Sequence, residues 1–140
     1  MEFERGSSIR RRGGNDVRGY EIVPSPMRRV LGIRIWGLWD YAFVREYRAD
    51  MLEVIREMSG SPWSVLLDAR GFPAQPDDVS AIRLELMVLS KRSGMRRIAS
   101  LTGSAVTKLQ TQRLVEESRG EVEFFDDEED ALEWIERISR

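Results

Sequence analysis

Apolar residues recur along the chain in two periods, and the switches between them outline the fold. Tyr20-Glu21-Ile22-Val23 alternates with period two and is stopped by Pro24-Ser25-Pro26. Arg29 to Trp36 alternates again, with Leu31, Ile33 and Ile35 on one face and Val30, Gly32, Arg34 and Trp36 on the other. A short turn between them predicts an antiparallel hairpin. From Tyr41 to Met58 the period becomes helical: Val44, Tyr47, Met51, Val54 or Ile55, and Met58 form one stripe, with Asp40 as the expected N-cap. Gly60 and Pro62 end this helix.

Trp63-Ser64-Val65-Leu66-Leu67-Asp68-Ala69-Arg70 follows, bounded by Pro62 and by Gly71-Phe72-Pro73. A short apolar run between breakers reads as a strand buried on both faces, and the rest of the chain is expected to cover it. Pro73 to Asp78 then leads into a helix carrying Val79, Ile82, Leu86 and Leu89 on one stripe. Leu84, Met87 and Val88 widen its apolar surface. Such a helix is either pressed between layers or offers a face to a partner. Leu84, Leu86 and Met87 are the residues expected on that surface if a partner covers it. Met95 to Leu101 predicts another strand. Ser104 opens a helix to about Ser118 with a poor apolar stripe, and Val122 to Phe125 forms a short last strand. Asp126 or Asp127 caps a final helix with Ala131, Trp134 or Ile135, and Ile138 on its buried stripe.

The expected fold is therefore α/β: one domain over residues 19–140, with a mostly parallel sheet of about five strands, an antiparallel first strand and about four helices. Residues 1–18 lack apolar periodicity and read as a flexible polar and basic tail. Arg10-Arg11-Arg12 beside Glu2, Glu4 and Asp16 gives weak support for contact with an anionic partner.

Composition narrows the chemistry. The chain of 140 residues contains no cysteine and no histidine, so disulfides, thiol nucleophiles, imidazole bases and Cys or His metal ligands are excluded. The formal net charge is only −2, which gives no overall basic field for nucleic acid. No apolar run reaches the ~18 residues of a membrane span, no secretory signal is visible, and a cytoplasmic location is expected. Glu116 to Arg140 holds eleven acids against three bases, net −8. The run Asp126 to Asp130 lacks the spacing and glycine of a calcium loop, and reads as a solvated face or a surface for a basic partner. No catalytic motif is present. Carboxylate-only catalysis would need two acids across a cleft, and Asp68 is the one acid at a strand end, so no enzymatic activity and no cofactor are expected.

Three clusters remain as candidate sites. Asp68 and Arg70 lie at the carboxyl end of the central strand, where open α/β sheets usually bind ligands. They hold either a partner or each other. Thr102-Gly103-Ser104 stands at the corresponding end of the next strand, as an N-cap or as an anion site supplemented by Lys108. Trp36, Trp39, Tyr41 and Phe43 either line an apolar slot or pack as core.

Taken together, the hairpin start, Val65-Leu66-Leu67-Asp68-Ala69-Arg70-Gly71-Phe72, Arg97-Ile98-Ala99-Ser100-Leu101, Phe124-Phe125-Asp126 and Ala131-Leu132-Glu133-Trp134-Ile135 resemble the SpoIIAA-like, STAS/SEC14-type domains over about residues 20 to 138. The resemblance implies a small regulatory domain that binds a protein partner or a second copy of itself as a homodimer. Its SEC14-type branch implies instead a small anionic or apolar ligand, such as a lipid. STAS antagonists carry a phosphorylatable serine at the start of the helix after the central strand. The matching place here reads Pro76-Asp77-Asp78-Val79, without serine or glycine, so the phosphoswitch does not carry over.

Overall fold

The alternating segments assemble into one six-stranded sheet whose spatial order equals its chain order. The structure is a computed structural model and describes residues 10–139. The strands are β1 (Arg11–Gly14), β2 (Gly19–Ser25), β3 (Val30–Trp36), β4 (Trp63–Gly71), β5 (Met95–Thr102) and β6 (Val122–Phe125). The helices are α1 (Tyr41–Met58), α2 (Asp77–Arg92), α3 (Ala105–Glu117) and α4 (Glu128–Ser139). β1 to β3 pair antiparallel, and β3 to β6 pair parallel through helical crossovers.

Two expectations change here. The sheet has six strands rather than about five, and the extra one, β1, lies within the segment read as flexible tail. Arg12 pairs with Glu21 and Gly13 with Tyr20. β1 shows no apolar alternation because apolar burial does not hold it. Arg11 reaches across to α1, 2.6 Å from Glu57 and 3.3 Å from Glu53. Gly13 lets the Tyr20 ring lie flat against the strand; a Cβ there would sit 2.6 Å from Cε2. The tail expectation for residues 1–9 lies outside the described residues.

α1, α2 and α3 cover one face of the sheet, and α4 covers the other. Alternation along the strands supplies both interiors. Leu31, Ile33 and Ile35 of β3 and Trp63, Val65, Leu67 and Ala69 of β4 enter the larger core with α1 and α2, whereas Val30, Leu66, Ala99 and Leu101 meet Ala131 and Ile135 of α4. β4 is thus covered on both faces, as its unbroken apolar run requires.

The helix starts follow their local chemistry. Asp40 accepts the Phe43 N–H at 2.9 Å, Ser104 that of Thr107 at 3.1 Å, and Asp127 that of Asp130 at 2.9 Å. α2 begins at Pro76 without a side-chain cap, but Asp77 and Asp78 stand in its first turn, where the helix dipole favours them. The side chain of Ile138 lies outside the described residues.

α2 corrects one assignment. It packs between α1 and α3, so its apolar residues are used by neighbours on several sides. Leu86 is 3% exposed and belongs to the core. Ile82, Met87 and Leu89 pack against the same core, and Leu84 is half-buried. Leu86 is therefore not an interaction surface: the wide apolar face reflects three-sided packing.

Candidate functional site

The carboxyl ends of β4 and β5 bring two of the predicted clusters side by side. Ala69 pairs with Thr102 in the sheet. Gly103 approaches the Arg70 backbone so closely that a Cβ would lie 2.5 Å from its carbonyl oxygen. The chemistry of both clusters is largely spent within the fold. Arg70 donates from Nε and Nη2 to the two Asp68 oxygens at 3.0 and 2.9 Å, and its backbone N–H bonds the same carboxylate. Burial disfavours the Asp68 charge, but the Arg70 hydrogen bonds and the charges of Arg70 and Arg34 outweigh it and hold the carboxyl below its ordinary range. Ser104 accepts from the Thr107 N–H and donates to Thr107 Oγ1 at 3.0 Å, and Thr107 in turn donates to the Phe72 carbonyl at 2.7 Å. This is a helix cap extended into a loop anchor.

Two open depressions flank these residues. One, of 280 Å³, runs past Glu21, Gly32, Arg34, Asp68 and Glu128. The other, of 380 Å³, is lined by Thr102, Gly103, Ser104, Lys108, Phe124 and Asp126. There the Lys108 ammonium rests 4.9 Å from the Phe124 ring centroid. Among the described residues, no group of three or more acids converges as a metal site would require.

The aromatic cluster divides. Trp39 and Phe43 are 1% and 5% exposed and interlock edge-on with Tyr20, Tyr47 and Phe72 at centroid distances of 4.9 to 6.2 Å. That is core packing on the α1 face. Trp36 points away and donates its indole N–H to Asn15 at 2.8 Å. Asp68 and Arg70 lie on the α4 face. The sheet thus separates Trp39 and Phe43 from the Asp68–Arg70 end, whereas Trp36 shares the face of Arg34 and Asp68, with the Arg34 guanidinium 5.0 Å from its ring centroid.

Two features escaped the sequence reading. The first is Arg83, which is 4% exposed inside the α1–α2 layer. Its guanidinium lies 4.9 Å from the Phe72 ring centroid. Among the described residues it has neither an ion pair nor a hydrogen bond to a protein acceptor. Burial lowers its pKa from the ordinary arginine value, against the raising influence of Tyr47. The signal was legible: Val79, Arg83, Leu86 and Ser90 fall at helical spacing on one buried face.

The second is a set of exposed apolar side chains. Val17, Leu38, Tyr41, Val106 and Leu109 are 79%, 60%, 50%, 62% and 60% exposed. Leu38 and Tyr41 follow β3, Val106 and Leu109 follow β5, and Val17 precedes β2, whose first residue pairs with the last of β3. All five therefore lie at one end of the sheet. Gln75 ties the region together. Its side-chain amide donates to the Gly37 carbonyl, its side-chain oxygen accepts the Trp39 N–H, and its backbone exchanges two hydrogen bonds with Gln110 of α3.

Among the described residues no helix is long and apolar enough to cross a membrane. Comparison with curated proteins returns no match. An uncharacterised protein of the DUF3478 family from Shewanella loihica PV-4, solved as a crystal structure with a SpoIIAA-like fold, superposes with a TM-score of 0.67 over 88% of this chain and 98% of its own, at 20% identity. The SpoIIAA-like family model matches residues 30–136. With the sheet order, the crossovers and the two-layer helix arrangement already in place, the chain belongs to the SpoIIAA-like family.

Proposed function

We propose that this SpoIIAA-like domain is a non-enzymatic interaction module whose protein partner docks across the carboxyl ends of β3 to β5. The observation that carries this reading is the clustering of exposed apolar side chains. Of the six large apolar residues exposed among the described residues, five lie at that end, and only Met27 lies at the other. Apolar side chains gathered at one end, with polar groups beside them, mark an interaction surface. The Gln75 and Gln110 hydrogen bonds hold its two halves in a preformed arrangement, which lowers the ordering cost of binding.

The same end speaks for regulation without chemistry. Asp68, the acid at the strand end, is held ionised by Arg70 rather than raised towards a catalytic range. The reading also does without a serine switch. The nearest hydroxyl in the first turn of α2, Ser80 Oγ, is buried without a hydrogen-bond partner, a poor position for phosphorylation.

The double variant Leu38→Glu/Val106→Glu should lose the partner captured by cross-linking in the source cells and retain the wild-type melting temperature. Met27→Glu should retain the partner. Loss of capture in Met27→Glu alone, or unchanged capture in the double variant, refutes the surface.

A further inference from the structure

The crevice between α1, α2 and the sheet has a composition that the docking surface does not explain. It is lined by Ile33, Val65, Leu67, Leu86 and Ile98, with Met51, Met87 and Met95 around them and a volume of 40 Å³. Arg83, Tyr47 and Ser90 also line it. A guanidinium carries five N–H donors and stays charged at neutral pH. Holding it almost wholly out of water without an anion is unfavourable, and the Phe72 ring offsets only part of that cost. The Tyr47 hydroxyl likewise has no hydrogen bond to protein among the described residues. Burial pushes its pKa up to about 12, so it remains a donor at physiological pH.

We propose that this crevice is a binding site for an unbranched aliphatic monocarboxylate, whose carboxylate pairs with the Arg83 guanidinium and whose tail lies among Met51, Leu86, Met87 and Met95. The charge arithmetic selects a monoanion: one buried guanidinium is neutralised by one carboxylate, whereas a phosphate dianion would carry a second uncompensated charge into apolar surroundings. The fork geometry of the guanidinium matches a carboxylate in bidentate fashion. The volume present holds only about two or three water molecules, so the tail enters by displacing side chains. Methionine is the residue best suited to that, being unbranched and conformationally adaptable. Met87 is half-buried and is the side chain that swings aside. The site lies on the α1–α2 face, away from Leu38 and Val106, so it stands or falls independently of the docking surface.

Calorimetric titration of the wild-type protein with octanoate, octan-1-ol and acetate, together with spectra of methyl-labelled methionines, tests it. Octanoate should bind at least about tenfold more tightly than either the alcohol or acetate, each of which lacks one half of the chemistry. Its binding should shift the Met51, Met87 and Met95 methyl signals and leave that of Met27, an exposed residue of the β2–β3 turn outside the crevice, unmoved. In Arg83→Met, octanoate affinity should fall to that of octan-1-ol. The absence of octanoate binding, equal affinity for octanoate and octan-1-ol, or binding that leaves those three methionines unmoved overturns the proposal. These wild-type readings decide it even if the Arg83 variant fails to fold.

Discussion

Asp68 and Arg70 show how one pair of side chains converts a candidate ligand site into a structural clamp. A bidentate pair at the end of a strand, two residues apart, needs no chain rearrangement to form. Its effect on stability has a definite sign. The Asp68 pKa is lowered in the folded state, so its contribution is complete above the ordinary aspartate value of 3.8 and is lost as pH falls through the lower folded-state value. Asp68→Asn should therefore be less stable than wild type at neutral pH and should show a flatter loss of stability on acidification below that value. Urea unfolding midpoints measured across the acid range check this, and parallel curves for the two proteins would show that the pair contributes nothing. Arg83 is the opposite case. It occupies a core position on α2, and its charge has no protein counterpart among the described residues. Both residues were visible in the sequence as charges beside apolar runs. What distinguishes them is the identity of their neighbours in space.

At the scale of elements, β1 and α2 depart from expectation for related reasons. Hydrophobic periodicity reports which face of an element is buried, not which elements bury it. β1 has no apolar face, and its attachment is a backbone ladder to β2 plus the reach of Arg11 to Glu53 and Glu57 on α1. Arg11→Met should raise amide exchange in residues 11–14 while lowering global stability by only about 1 kcal/mol, the scale of a partly exposed ion pair; unchanged exchange would assign the attachment to the ladder alone. α2 errs in the other direction, with an apolar surface too wide for one partner. Its position between α1 and α3 explains the width. Leu86→Ala should cost about 2–5 kcal/mol in the cooperative unfolding transition, the range for a buried leucine. A cost within experimental error would return that residue to the surface.

For the molecule as a whole, the order of strands and helices determined the fold class. Alternation of period two and period 3.6, punctuated by Pro62, Gly71 and Pro73, leaves few topologies once right-handed crossovers are required. The hairpin start, the doubly buried β4, the caps at Asp40 and Ser104 and the SpoIIAA-like architecture were all legible in that pattern, because each depends on residues close together in the chain. The distribution of surfaces was not. Parallel strands send the residues after β3 and β5 to the same end of the sheet, and antiparallel β2 brings Val17 there as well. Five exposed apolar side chains spread over nearly a hundred positions of sequence are thereby gathered at one end. The same long-range pairing put Trp39 and Phe43 on one face of the sheet and Asp68 on the other, and it enclosed Arg83 beside three methionines from α1, α2 and β5. Local chemistry, which acts between residues within a turn or two, was determined by the sequence alone. Which side chains share a crevice, a clamp or an exposed end depends on contacts between residues far apart in the chain, and only the tertiary structure decided those.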